Sequence, residues 1–342
     1  MKTFSNIIQG LACSAVLLTM TACGEKEFYN DEQYRKECYI VSGDDNIFGQ
    51  EYTFGEKSVG YISVYASGST PVEHDVTVTL RPAAALLKSY NQRIYGTNYA
   101  DYADLLPENC YSAPDGWSVV IKADNSYTLF PISVNVDQLD VTKTYYLPIE
   151  IAGVSDYQYS ASKNYVLFRI YMRNAYATTK SDTYYQMYGT TIDLVNDGNT
   201  FTQADPAAVP TVFNATKRMI PVTDNSVSVI PGASQNTENT DRNSVRLIVT
   251  DEVYDRPVLG DDGLPTGKTI PTLKVKVEPL NQGSTCVQVT TAYDLVTGQE
   301  LVSSFNPADE TFTLNYSYRM PTDRSGSNEL WHRVREEMSR MN

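Results

Sequence analysis

Phe130-Pro-Ile-Ser-Val-Asn-Val136 puts an apolar side chain at every second residue. That period marks a strand with one face in a core. The same alternation runs through Ile62, Val64 and Ala66, through Val76, Val78 and Leu80, and through Trp117, Val119 and Ile121. It returns at Leu147, Ile149 and Ile151, and again at Val166, Phe168, Ile170 and Met172. Roughly seven short strands with turn-rich gaps predict a two-sheet sandwich of the immunoglobulin-like kind over residues 37–174. One helix interrupts the pattern. Pro82 suits a first helical position, Ala83-Ala-Ala-Leu-Leu-Lys-Ser-Tyr90 are good helix formers, and Gly96 marks the end.

Asn174 to Thr183 has no apolar period, which sets a domain junction there. Beyond it the alternation resumes. Val245, Leu247 and Val249 share one face, and Leu273, Val275 and Val277 another. The turn-dense stretch Gly260-Asp-Asp-Gly-Leu-Pro-Thr-Gly267 joins them as a hairpin. Val287 and Val289, then Phe312, Leu314, Tyr316 and Tyr318, continue the series. Residues 198–240 are rich in Asn, Thr, Ser, Gly and Pro and read mostly as loop with short strands. The last segment reads as a closing helix with Trp331, Val334 and Met338 on one stripe, or as a strand through Trp331 and Val334. Many antiparallel strands without crossover helices favour an all-β second domain over residues 175–342, a small barrel or a second sandwich.

Composition narrows the function. The chain of 342 residues carries 41 acidic and 27 basic side chains, a net charge of -14 that disfavours nucleic acid as a partner. Two histidines leave little for a His-rich metal site or a catalytic triad. Gly263-Leu-Pro-Thr-Gly-Lys-Thr269 misses the phosphate-loop spacing by one residue, and Ile270-Pro271 follow where a helix should start. The acidic turns at Asp44-Asp45-Asn46, Asp251-Glu252 with Asp255, and Asp261-Asp262 lack the spacing of a calcium loop. No Gly-x-Ser-x-Gly elbow and no His-Glu-x-x-His is present, and nothing selects a glycosidase pair of carboxylates. The expectation is a protein that is not an enzyme, with no catalytic residue, metal or cofactor.

Tyrosine stands out, at 26 against 10 Phe and 2 Trp. A phenol ring stacks on the C–H face of a sugar while its hydroxyl bonds polar neighbours. Tyr184, Tyr185 and Tyr188, at the start of the second domain, and Trp331 are the candidate glycan-binding residues. Tyr95, Tyr99 and Tyr102 crowd one loop of the first domain, and Tyr157 and Tyr159 another. Each also fits the common preference of Tyr for half-buried strand positions. The acidic net charge points to a neutral polysaccharide or oligosaccharide as ligand.

The start of the chain carries an address. Lys2 precedes the short apolar core Leu11-Ala-Cys-Ser-Ala-Val-Leu-Leu18, too short to span a bilayer. Met20-Thr-Ala-Cys-Gly24 follows and resembles a bacterial lipobox. The resemblance implies a signal peptide over residues 1–22 and a lipid on Cys23. Residues 23–36 read as an acidic tether. An acidic run directly after Cys23 is also similar to the surface-export signal of Bacteroidota lipoproteins. The other cysteines, Cys38, Cys110 and Cys286, are odd in number and are expected to be buried thiols.

Val76-Thr-Val-Thr-Leu-Arg-Pro-Ala-Ala-Ala-Leu-Leu-Lys-Ser-Tyr-Asn91 and Tyr145-Tyr-Leu-Pro-Ile-Glu-Ile151 resemble the N-terminal domain of Bacteroidota surface lipoproteins of unknown function. Tyr316-Ser-Tyr-Arg319, Trp331 and Val334-Arg-Glu-Glu337 are similar to the last strands of their C-terminal domain. The resemblance implies an immunoglobulin-like domain followed by a lipocalin-like barrel. It also implies outer-membrane anchorage facing the cell exterior and partnership with Sus-type glycan import proteins. The resulting expectation is glycan binding without catalysis, or support of an import system. A structural adhesin or fimbria-like subunit, and a carbohydrate-active enzyme, are the alternatives.

Overall fold

The computed structural model describes residues 32–341 except 197, 199, 235–238 and 261–263. Cys23 lies outside the described residues. No helix among the described residues is long and apolar enough to cross a membrane.

The fold is all-β. In the first half, the main strands are β1 (Glu37–Ile40), β2 (Ile47–Thr53), β3 (Ser58–Ala66), β4 (Val76–Pro82), β5 (Ser118–Ile121), β6 (Tyr127–Val134), β7 (Tyr145–Val154) and β8 (Tyr165–Arg173). One sheet holds β1, β3 and β6, with two-residue strands on its edges, and the other runs β2-β8-β7-β4-β5. Their inner faces are the sets the alternation predicts. Ile62, Val64, Phe130 and Ile132 meet Val76, Val78, Ile149, Val166 and Phe168, all fully buried. β7 is buried on both faces from Tyr145 to Ile149, because α1 (Ala84–Tyr95) lies on the outside of its sheet. Leu87 of α1 packs there on Tyr146 and Leu167. The helix ends at Gly96, whose φ of 58° is a left-handed conformation that favours glycine.

The second half has one closed sheet. Its long strands are β9 (Thr183–Asn196), β10 (Phe201–Gln203), β11 (Thr211–Thr223), β12 (Ser226–Val229), β13 (Val245–Leu259), β14 (Pro265–Pro279), β15 (Gln288–Thr291), β16 (Ser304–Asn306), β17 (Thr311–Arg319) and β18 (Asn328–Arg340). The ring runs β9-β11-β12-β13-β14-β16-β17-β18 and closes where β18 pairs with β9 from Tyr185↔Arg340 to Asn196↔Glu329. Closure removes the open edges that a flat sheet would expose.

The final segment, which reads as helix or strand, is the strand β18. One expectation needs correction: β11 is a 13-residue strand inside the stretch that reads mostly as loop. Both strands alternate, but their inward positions are chemically mixed. β11 turns Ala215, Lys217, Met219 and Pro221 inward, and β18 turns Val334, Glu336 and Met338 inward. A buried Lys and a buried Glu break the apolar period that would announce each strand.

The lumen is filled. Tyr176 plugs the end nearest the sandwich, its ring 5.0 Å from Phe305 and 5.8 Å from Phe312. Tyr185 closes over the same cluster and donates its hydroxyl to the Tyr176 carbonyl at 3.0 Å. Deeper in, Glu336 accepts hydrogen bonds from the Gly232 amide at 2.7 Å and from the Tyr316 hydroxyl at 3.2 Å. Lys217 Nζ donates to the carbonyls of Ile230 and Ser234 at 3.1 and 2.8 Å. Two buried charges thus hold one loop from below. Gly232 is required there. Its φ is 60°, and a Cβ would stand 2.4 Å from the Tyr318 hydroxyl. Burial pushes Glu336 up to about 6 and Lys217 down to about 8, and their mutual attraction opposes both shifts.

The junction between the halves is short and tied. The buried Asn174 donates to the carbonyls of Thr223 and Ser226 and accepts from the amides of Tyr176 and Ala177. Thr178 donates to Glu51 at 2.7 Å, and Lys180 pairs with the same carboxylate at 3.3 Å. Cys38, Cys110 and Cys286 are buried thiols.

Candidate functional site

The outward positions of β8 are Tyr165, Leu167, Arg169 and Tyr171, an unusually apolar and aromatic row for an outer face. Leu167 is covered by α1, while Arg169 and Tyr171 lie beyond the helix, at the domain junction. The Arg169 guanidinium sits 4.7 Å from the Tyr171 ring and 5.9 Å from the Tyr146 ring. Tyr171 takes this place because β2 has Gly49 beside it, where a Cβ would stand 2.4 Å from the ring.

From Tyr146 the rings continue in a chain. Tyr90 is 5.7 Å from Tyr146, Tyr95 6.4 Å from Tyr90, Tyr102 6.2 Å from Tyr95, and Tyr99 5.2 Å from Tyr102. The loop bearing the last two is fixed to α1. Buried Asn91 donates to the Ala103 carbonyl at 2.8 Å and accepts from its amide at 3.1 Å. Tyr102 donates its hydroxyl to the Gly96 carbonyl at 2.7 Å. Tyr99 ends the chain 72% exposed. Loops held this way by a rigid scaffold are common binding positions.

Three depressions adjoin along this side of the molecule. One of about 460 Å³ lies under Tyr95, Tyr99 and Tyr102. It shares Thr142, Lys143 and Thr144 with a second, of about 320 Å³, which also takes in Arg169 and Tyr171. That one shares Arg218, Ile220 and Thr240 with a third, of about 500 Å³, which reaches Tyr184 and Ser228. Together they form a groove that crosses from sandwich to barrel. Its charges are mostly matched: Lys143 pairs with Asp104 at 2.8 Å and Arg218 with Asp182 at 2.8 Å. The Asp104 carboxylate raises the Lys143 ammonium above its ordinary range.

The four candidate stacking residues part company here. Tyr184 is in the groove, 41% exposed, with its hydroxyl donated to Asp182 at 3.0 Å. Tyr188 is 61% exposed on the outer barrel wall. Tyr185 and Trp331 are corrected: neither ring is open to stack on a sugar. Tyr185 is 1% exposed inside the barrel, since strand alternation turns it opposite to Tyr184. Trp331 is 7% exposed under Phe201 of β10, 5.5 Å away, and its indole donates to Glu329 at 3.1 Å. Sequence reading named Tyr95, Tyr99 and Tyr102 but missed Tyr90, Tyr146, Arg169 and Tyr171. The outward register of β7 and β8, opposite to their apolar one, carried that signal.

Comparison with known proteins places this architecture. Crystal structures of two proteins of unknown function from Bacteroides ovatus match nearly the whole chain. One has 17% identity, a TM-score of 0.51 and coverage of 90% of this chain and 95% of its own. The other has 15% identity, a TM-score of 0.53 and coverage of 92% and 93%. A structure described as an auxiliary nutrient binding protein from Bacteroides thetaiotaomicron is 14% identical with a TM-score of 0.45, covering 87% of this chain and 92% of its own. No curated protein matches the sequence. A family model described as an N-terminal domain matches residues 34–158. Another, described as a C-terminal domain, matches residues 164–339, more than half of the sequence. The chain therefore belongs to the family whose C-terminal domain that second match defines.

Proposed function

We propose that this protein captures a glycan at the cell surface without cleaving it, and serves a polysaccharide import system. The observation that carries the reading is the groove itself, a channel across both domains that is polar on the sandwich side and more apolar on the barrel side, with exposed tyrosines at its two ends. Sugars suit such a surface, because rings stack on their C–H faces and serine, threonine and tyrosine hydroxyls meet their oxygens. The lumen supports the reading from the other side. A filled barrel leaves the outer wall, not the interior, for ligand.

Capture without hydrolysis fits the groove's carboxylates: Asp104 and Asp182 are engaged with cations, and Asp101 accepts from the Asn98 side-chain amide. A glycosidase acid needs a raised pKa beside the scissile bond. Glu336 has the raised value, at about 6, but it is sealed in the barrel. Anchorage rests on the lipobox at Cys23, the outward face on the acidic run that follows it, and partnership with Sus-type import proteins on the family resemblance. Labelling with a fatty-acid analogue is expected to mark wild type and not Cys23→Ala; equal labelling refutes the anchor. Calorimetry against a polysaccharide panel, with chromatography of the mixtures, tests capture. Binding in the micromolar-to-millimolar range without new products is expected. Released oligosaccharides, or silence across the panel, would overturn the reading.

A further inference from the structure

The groove's cations are not alike. Lys143 and Arg218 each hold an aspartate at 2.8 Å. Arg169 has no carboxylate within 4.0 Å among the described residues, and its Nε is buried without an acceptor. Yet it lies in the middle depression, between the tyrosine loop and the barrel wall. Its guanidinium also lies against two rings, Tyr171 at 4.7 Å and Tyr146 at 5.9 Å. A guanidinium resting on neighbouring rings has less freedom to lose when it binds, and its fork of N–H donors matches a planar or tetrahedral oxyanion.

We propose that Arg169 is the recognition point for an acidic sugar, one bearing a uronate carboxylate or a sulfate ester, bound in the groove's central depression. The inference rests on the glycan-capture reading and names its ligand class. It departs from what net charge alone predicts. Salt screens the repulsion from distant charges beyond about 8–10 Å, whereas a contact at the guanidinium acts within a few ångströms and keeps its strength. Tyr171 and the tyrosine loop would take the neighbouring rings of the chain, and Lys143 and Arg218 would lie on either side of the acidic group.

A glycan array carrying neutral, uronate-containing and sulfated members tests this with the full-length protein, Arg169→Gln and Arg169→Lys. The expected result is that the strongest signals come from acidic glycans. The uronate and sulfate members then tell which oxyanion is read. Arg169→Gln should weaken those signals roughly tenfold or more, as expected for a lost charged hydrogen bond, with neutral members unchanged. Arg169→Lys keeps the charge and loses the fork, so it should fall between, and it serves in place of the first variant if that one misfolds. Strong binding to neutral glycans alone would overturn the inference and leave capture standing. Acidic binding unaffected by both variants would remove Arg169 from the role. No binding anywhere would overturn this inference together with the capture reading.

Discussion

The barrel lumen and the groove use the same residue type to opposite ends. In the lumen, Tyr185 and Tyr316 are 1% exposed and their hydroxyls are spent on a carbonyl and a carboxylate. In the groove, Tyr99 and Tyr184 are 72% and 41% exposed. What separates the two sets is register. Tyr184 and Tyr185 are adjacent in sequence and point to opposite faces of one strand. Composition therefore cannot rank tyrosines as binders; the parity of the strand does. If the comparison is right, changes in the lumen should cost stability, and changes in the groove should cost binding.

The largest expected effect is in the lumen. Phe312 is fully buried and touches Tyr176, Tyr185 and Phe305. Phe312→Ala should destabilise the fold by about 3–5 kcal/mol, from lost burial plus the cavity left behind. Chemical denaturation checks it. A loss below about 1 kcal/mol would mean that the lumen is loosely packed and has room for a ligand after all.

Next is the charged pair. Lys217→Met leaves Glu336 buried without its counter-charge, at a cost of about 3 kcal/mol near pH 7. The pH dependence follows from the signs. Glu336 is raised from 4.5 to about 6 in the folded protein, so its stabilising contribution is complete below pH 4.5 and is lost as pH climbs through 6. Lys217 is lowered from 10.5 to about 8, so its contribution is complete above pH 10.5 and is lost as pH falls through 8. Between 6 and 8 both groups are charged and the pair is costliest to bury. The penalty of Lys217→Met should therefore shrink between pH 7 and pH 5, where Glu336 takes up a proton. Melting curves of both proteins across that range decide it. A constant penalty would show that the loop bonds to Ile230 and Ser234, not the charge, carry the effect.

These two strands also show where sequence reading stops. The sandwich was legible because its inward positions are uniformly apolar, from Ile62 to Met172. β11 and β18 were obscured by Lys217 and Glu336, polar residues whose burial depends on a loop folded over them. The groove was half legible. Tyr95, Tyr99 and Tyr102 advertise themselves by spacing. Arg169 and Tyr171 matter through what lies beside them, Tyr146 on the next strand and Gly49 on the other side, and those neighbours are distant in sequence.

A smaller effect sharpens the groove's side of the comparison. Gly49→Ala puts a methyl where the Tyr171 ring now lies, 2.4 Å away. The ring can swing aside, so the stability cost should stay near 1 kcal/mol. The ring would then leave Arg169, and glycan binding should weaken with little change in melting temperature. If binding survives, Tyr171 is a bystander.

The smallest expected change in stability, and the most direct reading of the groove, comes from its outermost ring. Tyr99 makes a ring contact with Tyr102 at 5.2 Å and is otherwise open to solvent. Removing it should alter stability by no more than about 0.5 kcal/mol, as for other surface positions. If its face carries a sugar, Tyr99→Ala should weaken binding by about 1 kcal/mol, the scale of an aromatic contact, or roughly fivefold in Kd. The control is Tyr127→Ala. Tyr127 is 55% exposed on the outer face of the other sheet, where it stands 5.9 Å from Tyr65. It matches Tyr99 in chemistry and exposure but lies away from the groove, so a general preference of sugars for exposed aromatics would weaken both variants alike. Loss in Tyr99→Ala with normal binding in Tyr127→Ala assigns the ligand to the groove, because of the two exposed rings only Tyr99 borders it. The reverse pattern would move the binding face to the other sheet and leave the chain from Tyr146 to Tyr99 as packing around α1.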